Sequence, residues 1–221
     1  MSQPFKTTCL GIGLLIACLA LATNAQAHPH VWVTVQTEVL HDGQKSVTGF
    51  RHRWTFDEFY SSFAIQGMDK NNDGQYDREE LKDLAEVNIS SLQEFGFFTF
   101  PIVAEKEMER LQPRDYWLEH KDGVITLNFT LPLKEPVLKA NLKDFHFSIY
   151  DPSFYVAFAF AKTEPVRLSA APAGCQAEIS NPEAQAPSKS LGESLFSNMD
   201  KLTNFSQQYA QTVKVKCQAG S

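Results

Sequence analysis

The chain has 221 residues, of which 43% are hydrophobic, and a formal net charge of −6 at pH 7. This length and composition predict a globular protein with a sizeable apolar core. The acidic balance argues against nucleic acid as a partner, because a nucleic-acid-binding surface needs a concentration of basic side chains.

The first 27 residues have the pattern of a secretory signal peptide. Lys6 gives a positively charged n-region, residues 10–22 form an apolar segment, and small residues predict cleavage after Ala27. A second processing site stays open, because the residues around Cys18 resemble a lipobox that would make this cysteine a lipidated N-terminus. No other segment of the sequence approaches the roughly 20 apolar residues that a membrane span needs. We therefore expect a periplasmic protein that does not itself span the membrane after processing.

The mature chain begins with a predicted β-hairpin. Residues 31–40 alternate between apolar and polar side chains and are rich in β-branched residues, and residues 46–55 are typical of the returning strand. Between them, residues 41–44 read His-Asp-Gly-Gln, which predicts a turn.

Two helices separated by a short loop are predicted next. Residues 56–68 and 78–94 carry apolar side chains at helical spacing. In the first helix this spacing places five side chains on one face, namely Phe56, Phe59, Tyr60, Phe63 and Ala64.

The loop between the helices, residues 69–80, has the spacing of an EF-hand calcium loop. Side-chain oxygens stand at loop positions 1, 3, 5, 9 and 12, a backbone carbonyl is available at position 7, and Gly74 at position 6 allows the sharp turn. The spacing matters because a hard cation such as Ca²⁺ takes about six to eight oxygen ligands. The expected calcium ligands are Asp69, Asn71, Asp73, Gln75, Asp77 and Glu80.

Strand patterns return after the second helix, without further helices between them. Strands at this spacing are typical of an antiparallel sheet or sandwich. We therefore expect a mainly β fold with an inserted EF-hand-like helical hairpin at residues 56–94 and a C-terminal amphipathic helix. The predicted strands cover residues 97–103, 116–119, 124–131, 144–150 and 153–161.

The composition changes at Ala170. Residues 170–190 are rich in Ala, Pro and Ser and predict a linker or loose loop, whereas residues 191–212 have the apolar spacing of an amphipathic helix that packs on the sheet. Residues 213–217 are expected to form a short closing strand or tail. The chain would then consist of a signal peptide (1–27), a β-rich domain (28–169) and this C-terminal part (170–221).

Two cysteines remain after the leader is removed, Cys175 and Cys217. An even pair of cysteines in an oxidising compartment predicts a disulfide bond. This bond would tie the C-terminal part of the chain together.

Cleavage after Ala27 would leave His28-Pro29-His30 at the mature N-terminus. A terminal histidine can chelate a metal through its α-amine and its ring nitrogen, and His30 adds a second imidazole. Imidazole nitrogen suits Zn²⁺, Cu²⁺, Ni²⁺ and Co²⁺. The alternative is that the two histidines are exposed and bind nothing specific. Side chains that could complete a site are His52, Asp57, Glu58, His146 and Asp151.

Asp57 and Glu58 also have a simpler explanation, because acidic residues at the start of a helix cap its free N–H groups. No motif of a familiar enzyme class is present in the sequence: we find no Gly-rich phosphate loop, G-x-S-x-G, H-E-x-x-H or C-x-x-C. We therefore do not expect an enzyme.

Five blocks of the sequence together carry a resemblance to a known family: the calcium loop and residues 28–32, 54–60, 127–133 and 150–156. They resemble a family of periplasmic proteins of unknown function encoded beside nickel/cobalt-type permeases, whose characterised type is the zinc-binding ZevA protein. The resemblance covers roughly residues 28–161. It implies a periplasmic metal-binding component that works with an inner-membrane metal permease, with zinc as the leading cargo and nickel or cobalt next. It also implies that His28 and His30 are the metal-binding pair.

Two other functions stay open. The chain could be a calcium-dependent interaction module in which the N-terminal histidines are incidental. It could also be a copper enzyme with a terminal-His brace on a β-sandwich, for which His146 and Tyr155 are available.

Overall fold

The computed structural model describes residues 29–182 and 206–217. The predicted signal peptide, His28 and residues 191–205 of the predicted C-terminal helix lie outside these described residues. In the part of the chain that is described, no helix is both long and apolar enough to cross a membrane.

The described residues form two β-sheets that share one core. The first sheet has six strands in the order β5-β6-β2-β1, with β8 and β9 both pairing along the far edge of β1. Its strands are β1 (Val31–His41), β2 (Val47–Phe56), β5 (Arg114–Lys121), β6 (Val124–Val137), β8 (Val156–Phe160) and β9 (Val166–Ser169).

The second sheet has five strands in the order β10-β11-β7-β3-β4, and all its pairs are antiparallel. The strands of this second sheet are β3 (Thr99–Val103), β4 (Lys106–Glu107), β7 (Phe145–Ile149), β10 (Cys175–Ser180) and β11 (Thr212–Cys217). The mainly β class and every strand predicted up to residue 161 are thereby confirmed.

The first sheet is mixed rather than antiparallel, which corrects our expectation. Strands β1 and β2 form the predicted antiparallel hairpin. Strands β8 and β9, however, run parallel to β1, with Val31 opposite Val156 and Thr37 opposite Val166. This pairing joins segments that are more than a hundred residues apart, so alternation within each strand gave no information about its direction.

Two helices lie between β2 and β3: α1 (Glu58–Ala64) and α2 (Lys82–Leu92). Both are shorter than predicted. Phe56 continues β2 opposite Val33, and α1 begins only after Asp57, whose Oδ1 accepts a hydrogen bond from the Tyr60 N–H at 2.9 Å. Two 3₁₀ helices follow later in the chain, at Gln93–Phe98 and Lys139–Asp144.

Helix α1 does not bury the face that its sequence predicts. Phe59 and Phe63 are 81% and 68% exposed, whereas Ser61 and Ile65 are buried. The Ser61 Oγ accepts a hydrogen bond from the Ile125 N–H at 3.0 Å, which fixes this side of the helix against the start of β6. The prediction was therefore wrong for the two phenylalanines, because a hydrogen bond to the sheet decides the orientation.

Two strands of the second sheet, β10 and β11, come from the C-terminal part of the chain. Residues 170–190, predicted as a linker, contain strand β10, and Thr212 begins β11 instead of ending a helix. Strand β11 lies between β10 and β7 and is not a loose tail. The predicted disulfide is present, and Cys175 and Cys217 face each other across the β10–β11 pair.

Aromatic side chains from both sheets meet in the core between them. Phe50 and Trp54 of β2, with Phe129 of β6, come from the first sheet, and Phe145 and Phe147 of β7 come from the second. The ring centroids of Phe50 and Phe147 are 4.9 Å apart, so the two sheets pack directly on each other. Such aromatic contacts supply much of the buried apolar area that stabilises a small domain.

His52 is a fully buried polar group inside this aromatic core. Its Nδ1 lies 3.0 Å from the Thr37 Oγ1 of β1, and its Nε2 lies 3.4 Å from the Thr99 Oγ1 of β3. Because the Thr99 hydroxyl donates its proton to the Phe97 carbonyl at 2.9 Å, Nε2 must carry the hydrogen and Nδ1 must accept one from Thr37. His52 is therefore a neutral bridge between the two sheets.

Burial without a charged partner lowers the pKa of His52 to about 3. An unfolded chain binds a proton at this histidine below about pH 6.5, whereas the folded chain does not. The contribution of His52 to stability is therefore present above pH 6.5 and is lost as the pH falls towards 3.

We expect the free energy of unfolding to fall by up to about 1.4 kcal/mol per pH unit below pH 6.5 because of His52 alone. Replacement His52→Gln, which cannot titrate, should destabilise the protein at pH 7 and flatten this slope. Urea unfolding measured from pH 7 to pH 4 tests both effects. His120→Gln at the sheet edge is the control, and equal slopes in the wild type and H52Q would contradict the assignment.

The disulfide closes a loop of 42 residues. In the chain-entropy model, a loop of this length stabilises the folded protein by roughly 4 kcal/mol. The free energy of unfolding of the double variant C175S/C217S, measured in urea without reductant, should be lower by about this amount. Strand β10, which pairs with β11 at the sheet edge, should become the least protected strand in hydrogen exchange. Wild-type protein in reductant should match the variant; unchanged unfolding midpoints in both would refute the prediction.

Two candidate metal sites

The predicted calcium loop, residues 69–80, lies beside β5 at the edge of the first sheet. The ring of Tyr76 contacts that of His120 with centroids 4.8 Å apart. Two residues further on, the guanidinium of Arg78 lies 4.5 Å from the centre of the Trp117 ring. The second half of the loop is thereby held against the strand from two sides.

The first half of the loop turns its side-chain oxygens towards its own backbone. Asp69 accepts hydrogen bonds from the N–H groups of Asp73 and Gly74 at 3.2 and 3.0 Å. Asn71 accepts from the Asp73 N–H at 2.8 Å, and Asp73 accepts from the Gln75 N–H at 2.8 Å. Gly74, at φ +77°, adopts the left-handed conformation that the turn requires.

Glu80 closes the loop. The residue is only 7% exposed. Its carboxylate accepts hydrogen bonds from the backbone N–H groups of Lys70 and Asn71 at 2.8 and 3.3 Å and of Asp77 at 3.2 Å. Asp77 in turn accepts from the backbone N–H of Glu80 at 2.9 Å. A carboxylate from the end of the loop therefore lies across its beginning.

The donor set of this loop consists of carboxylate and amide oxygens, the chemistry that a hard cation selects. Five of the six expected ligand residues accept hydrogen bonds from loop amides through side-chain oxygens, and the sixth, Gln75, was expected to use its carbonyl. As they stand, however, no three His, Cys, Asp or Glu side chains converge into a ready metal site anywhere in residues 29–182 and 206–217.

His30 lies at the start of β1, at the other candidate site, and its side chain is exposed. Its backbone N–H donates to the Tyr155 carbonyl at 2.9 Å, and the two rings lie 4.8 Å apart between centroids. One phenol, that of Tyr155, therefore neighbours His30. Burial, with contributions from Tyr155 and Asp57, raises the pKa of Tyr60, whose ring stacks on Phe56. His28 lies outside the described residues.

The two aspartates near this site already hold backbone groups. Asp57 accepts hydrogen bonds from the N–H of Tyr60 and, through Oδ2, from the N–H of Trp32 at 2.9 Å. Asp151 is buried and accepts from Val156 N–H at 2.9 Å and from both the N–H and the hydroxyl of Ser153. Both carboxylates therefore have a structural role, which agrees with the capping role predicted for Asp57. Glu58 is exposed beside Asp57.

The remaining candidates lie away from His30. His52 is paired with Thr37, which is seven residues, or about 23 Å of extended strand, along β1 from His30. His146 alternates with the core residues Phe145 and Phe147 and so points to the outer face of the second sheet. There, burial and the ammonium of Lys214 lower the pKa of His146. Neither histidine can complete a site at His30.

Sequence reasoning named Tyr155 only for a copper site and did not place it beside His30. Tyr155 comes to lie alongside His30 because β1 pairs with the segment that follows Asp151. This pairing is parallel and joins distant segments, so a single sequence does not reveal it.

Comparison with known proteins gives a family and two relatives. The family model described as "Protein of unknown function (DUF1007)" matches residues 13–217. The chain is 29% identical over 217 residues to a Haemophilus influenzae protein named "Uncharacterized protein", covering 96% of this chain and all of the relative. It is 28% identical over 116 residues to the "Uncharacterized 15.5 kDa protein in trpE 3'region" of Spirochaeta aurantia, covering 50% and 77% of the two chains. Because the family model spans nearly the whole sequence, the chain belongs to the DUF1007 family.

Proposed function

We propose that this protein is a periplasmic binding component for a divalent transition metal, zinc foremost, that serves an inner-membrane metal permease and carries a calcium site of structural or modulatory role. The observation that carries the calcium part of the proposal is the buried Glu80 side chain lying across the calcium loop. The protein is not an enzyme in this proposal.

The calcium part rests on the donor set and on its arrangement. Calcium would be held by carboxylate, amide and backbone oxygens together, so it does not require three charged side chains to converge in advance. The loop amides that now bind Glu80 and Asp69 hold these carboxylates at the interior of the loop. A single EF-hand-like loop outside the cytoplasm would have a Kd on the order of 10⁻⁴ to 10⁻³ M for calcium.

The transition-metal part rests on His30 and its surroundings. Because Asp57 and Asp151 are committed to backbone groups, a metal there would depend on the imidazole of His30, with His28 and its α-amine as the further donors. Nitrogen donors of this kind suit zinc, nickel, cobalt and copper. The resemblance to the ZevA family implies zinc as the cargo, and the same resemblance implies a permease as the partner.

The second candidate is a calcium-dependent interaction module. It is favoured by the contact of the calcium loop with β5, since ordering of the loop would be transmitted to Trp117 and His120. The copper-brace alternative loses His146 as a donor but keeps Tyr155 beside His30. Zinc, calcium and copper titrations on correctly processed protein separate the three functions.

Replacement Glu80→Gln should abolish the calcium-induced rise in melting temperature, because this carboxylate is the expected bidentate ligand. Glu79→Gln is the matched control: it removes the same charge from the next residue, which is exposed. Differential scanning calorimetry with calcium and with chelator measures the shift. An equal calcium-induced rise in the melting temperature of the wild type and E80Q would contradict the proposed calcium site.

Zinc binding should depend on the free N-terminus of the processed chain. An α-amine with an ordinary pKa of about 7.7 to 8.0 becomes a ligand beside the imidazole of His28 only after cleavage. Protein with extra residues before His28 should therefore bind zinc more weakly in calorimetry, with its calcium response unchanged. Affinity should also fall as the pH drops through about 6.5, because the ligands must lose protons to bind.

The variant H28A/H30A should lose zinc binding, whereas the control H120A should retain it. Equal zinc affinity with and without the N-terminal extension would show that the α-amine takes no part. If neither form binds zinc, nickel or copper more tightly than about millimolar, the transition-metal proposal is wrong, and calcium binding alone would favour the interaction module.

A further inference from the structure

The outer face of the first sheet is rich in arginine. Along β1 and β2, side chains that are buried in the core alternate with side chains that point away from it. The register of β9, β1, β2, β6 and β5 aligns the outward side chains in rows across the sheet. One row consists of Arg167, Glu38, Arg51, Thr130 and Arg114, and the adjacent row consists of Gln36, Arg53, Asn128 and Trp117. We call these two rows the arginine face.

Arginine, and not positive charge alone, is concentrated on this face. A fifth arginine, Arg78, reaches the arginine face from the predicted calcium loop and places its guanidinium 4.5 Å from the centre of the Trp117 ring. The chain has six arginines and 14 lysines, so five of the six arginines lie together here. Lysine would supply the same charge, whereas only the planar guanidinium offers paired donors that match a carboxylate. The composition of the face therefore indicates recognition of such groups.

The arginines outnumber the acidic side chains that contact them. The contacts are those of Arg51 and Arg167 with Glu38 at 2.5 and 2.9 Å, of Arg53 with Glu119 at 2.7 Å, and of Arg114 with Asp115 at 3.9 Å. Five guanidiniums and three carboxylates leave a net charge of +2, whereas the whole chain carries −6. The arginine face is therefore a positive region on an acidic protein.

Glu38 holds two of the guanidiniums in place. Its side chain is only 14% exposed, and it accepts hydrogen bonds from Arg51 Nη1 and Arg167 Nη2. In the described part of the chain, each of these two guanidiniums donates through one nitrogen only, so most of its five N–H donors remain for another acceptor. Both arginine side chains are more than half exposed. Donors that are fixed before binding lose less conformational entropy when a ligand arrives.

We propose that the arginine face docks an acidic segment of a partner protein. Carboxylates of that segment accept the remaining guanidinium donors, and the contrast with the acidic remainder of the chain orients the encounter. This inference does not rest on the metal sites proposed above, because it needs neither zinc nor calcium.

An anionic membrane is a poorer occupant of the arginine face. The carboxylates set among the arginines suit a partner whose charges are discrete, because a continuous anionic lipid surface would meet all three of them. Trp117 is the one aromatic side chain in the two rows, and Arg78 lies over its ring. The face therefore presents no aromatic anchor of the kind that inserts into a bilayer.

The experiment uses a synthetic peptide of alternating glutamate and serine. Its affinity for the full processed protein is measured by calorimetry in buffer that contains neither zinc nor calcium. The variant R51Q/R53Q should bind the peptide roughly tenfold more weakly or worse, because charge-assisted hydrogen bonds are lost. The matched control K214Q/K216Q removes the same charge from two exposed, alternate positions of β11 in the other sheet, and it should bind as the wild type does.

A second variant, R114Q/R167Q, removes arginines from the two edge strands and should also weaken binding, so the test does not depend on R51Q/R53Q alone. Unchanged melting temperatures verify that the variants fold. A peptide with lysines in place of the glutamates should not bind. Failure of the wild type to bind the glutamate peptide, or an equal loss in K214Q/K216Q, would overturn the proposal. So would binding to phosphatidylglycerol vesicles that R51Q/R53Q loses while its peptide affinity is unchanged, since the face would then bind membranes.

Discussion

Asp57 connects strand β1 to helix α1 through its hydrogen bonds. Its backbone N–H donates to the Trp32 carbonyl and its Oδ2 accepts from the Trp32 N–H, so the β1–β2 pairing is extended to the very start of the sheet. Its Oδ1 caps α1 through the Tyr60 N–H. One carboxylate therefore fixes the strand that follows His30 relative to the helix that leads towards the calcium loop.

A second polar group holds the two sheets together. His52 accepts from Thr37 and donates to Thr99, and it does so among stacked aromatic rings where a charged imidazole would be strongly disfavoured. An apolar residue would pack there, but it would leave both threonine hydroxyls without this partner. The bridge specifies how the sheets align, and it also makes the core sensitive to acid.

The sequence was informative wherever the fold is local. Alternation predicted the β1–β2 hairpin and the later strands, and capping residues marked α1. It failed where a distant partner decides: the parallel pairing of β8 and β9, the strand at Cys175–Ser180 within an Ala/Pro/Ser-rich context, and the orientation of α1, which the Ile125 N–H sets. The calcium loop could be proposed from the sequence because its expected ligands lie within twelve residues. Tyr155, the neighbour of His30, lies more than a hundred residues away along the chain, so spacing could not predict it.

The two candidate sites differ in the way their carboxylates are used. In the predicted calcium loop, carboxylates accept hydrogen bonds from backbone amides of the same loop. Near His30, the carboxylates of Asp57 and Asp151 bind amides that define the helix and the strand themselves, so recruiting them would cost the local fold. The loop therefore offers oxygen donors of the kind that a hard cation prefers, and the N-terminal end offers the imidazole of His30 beside the phenol of Tyr155. If both sites bind metals as proposed above, this division of donors would give each of them a preference for a different class of metal.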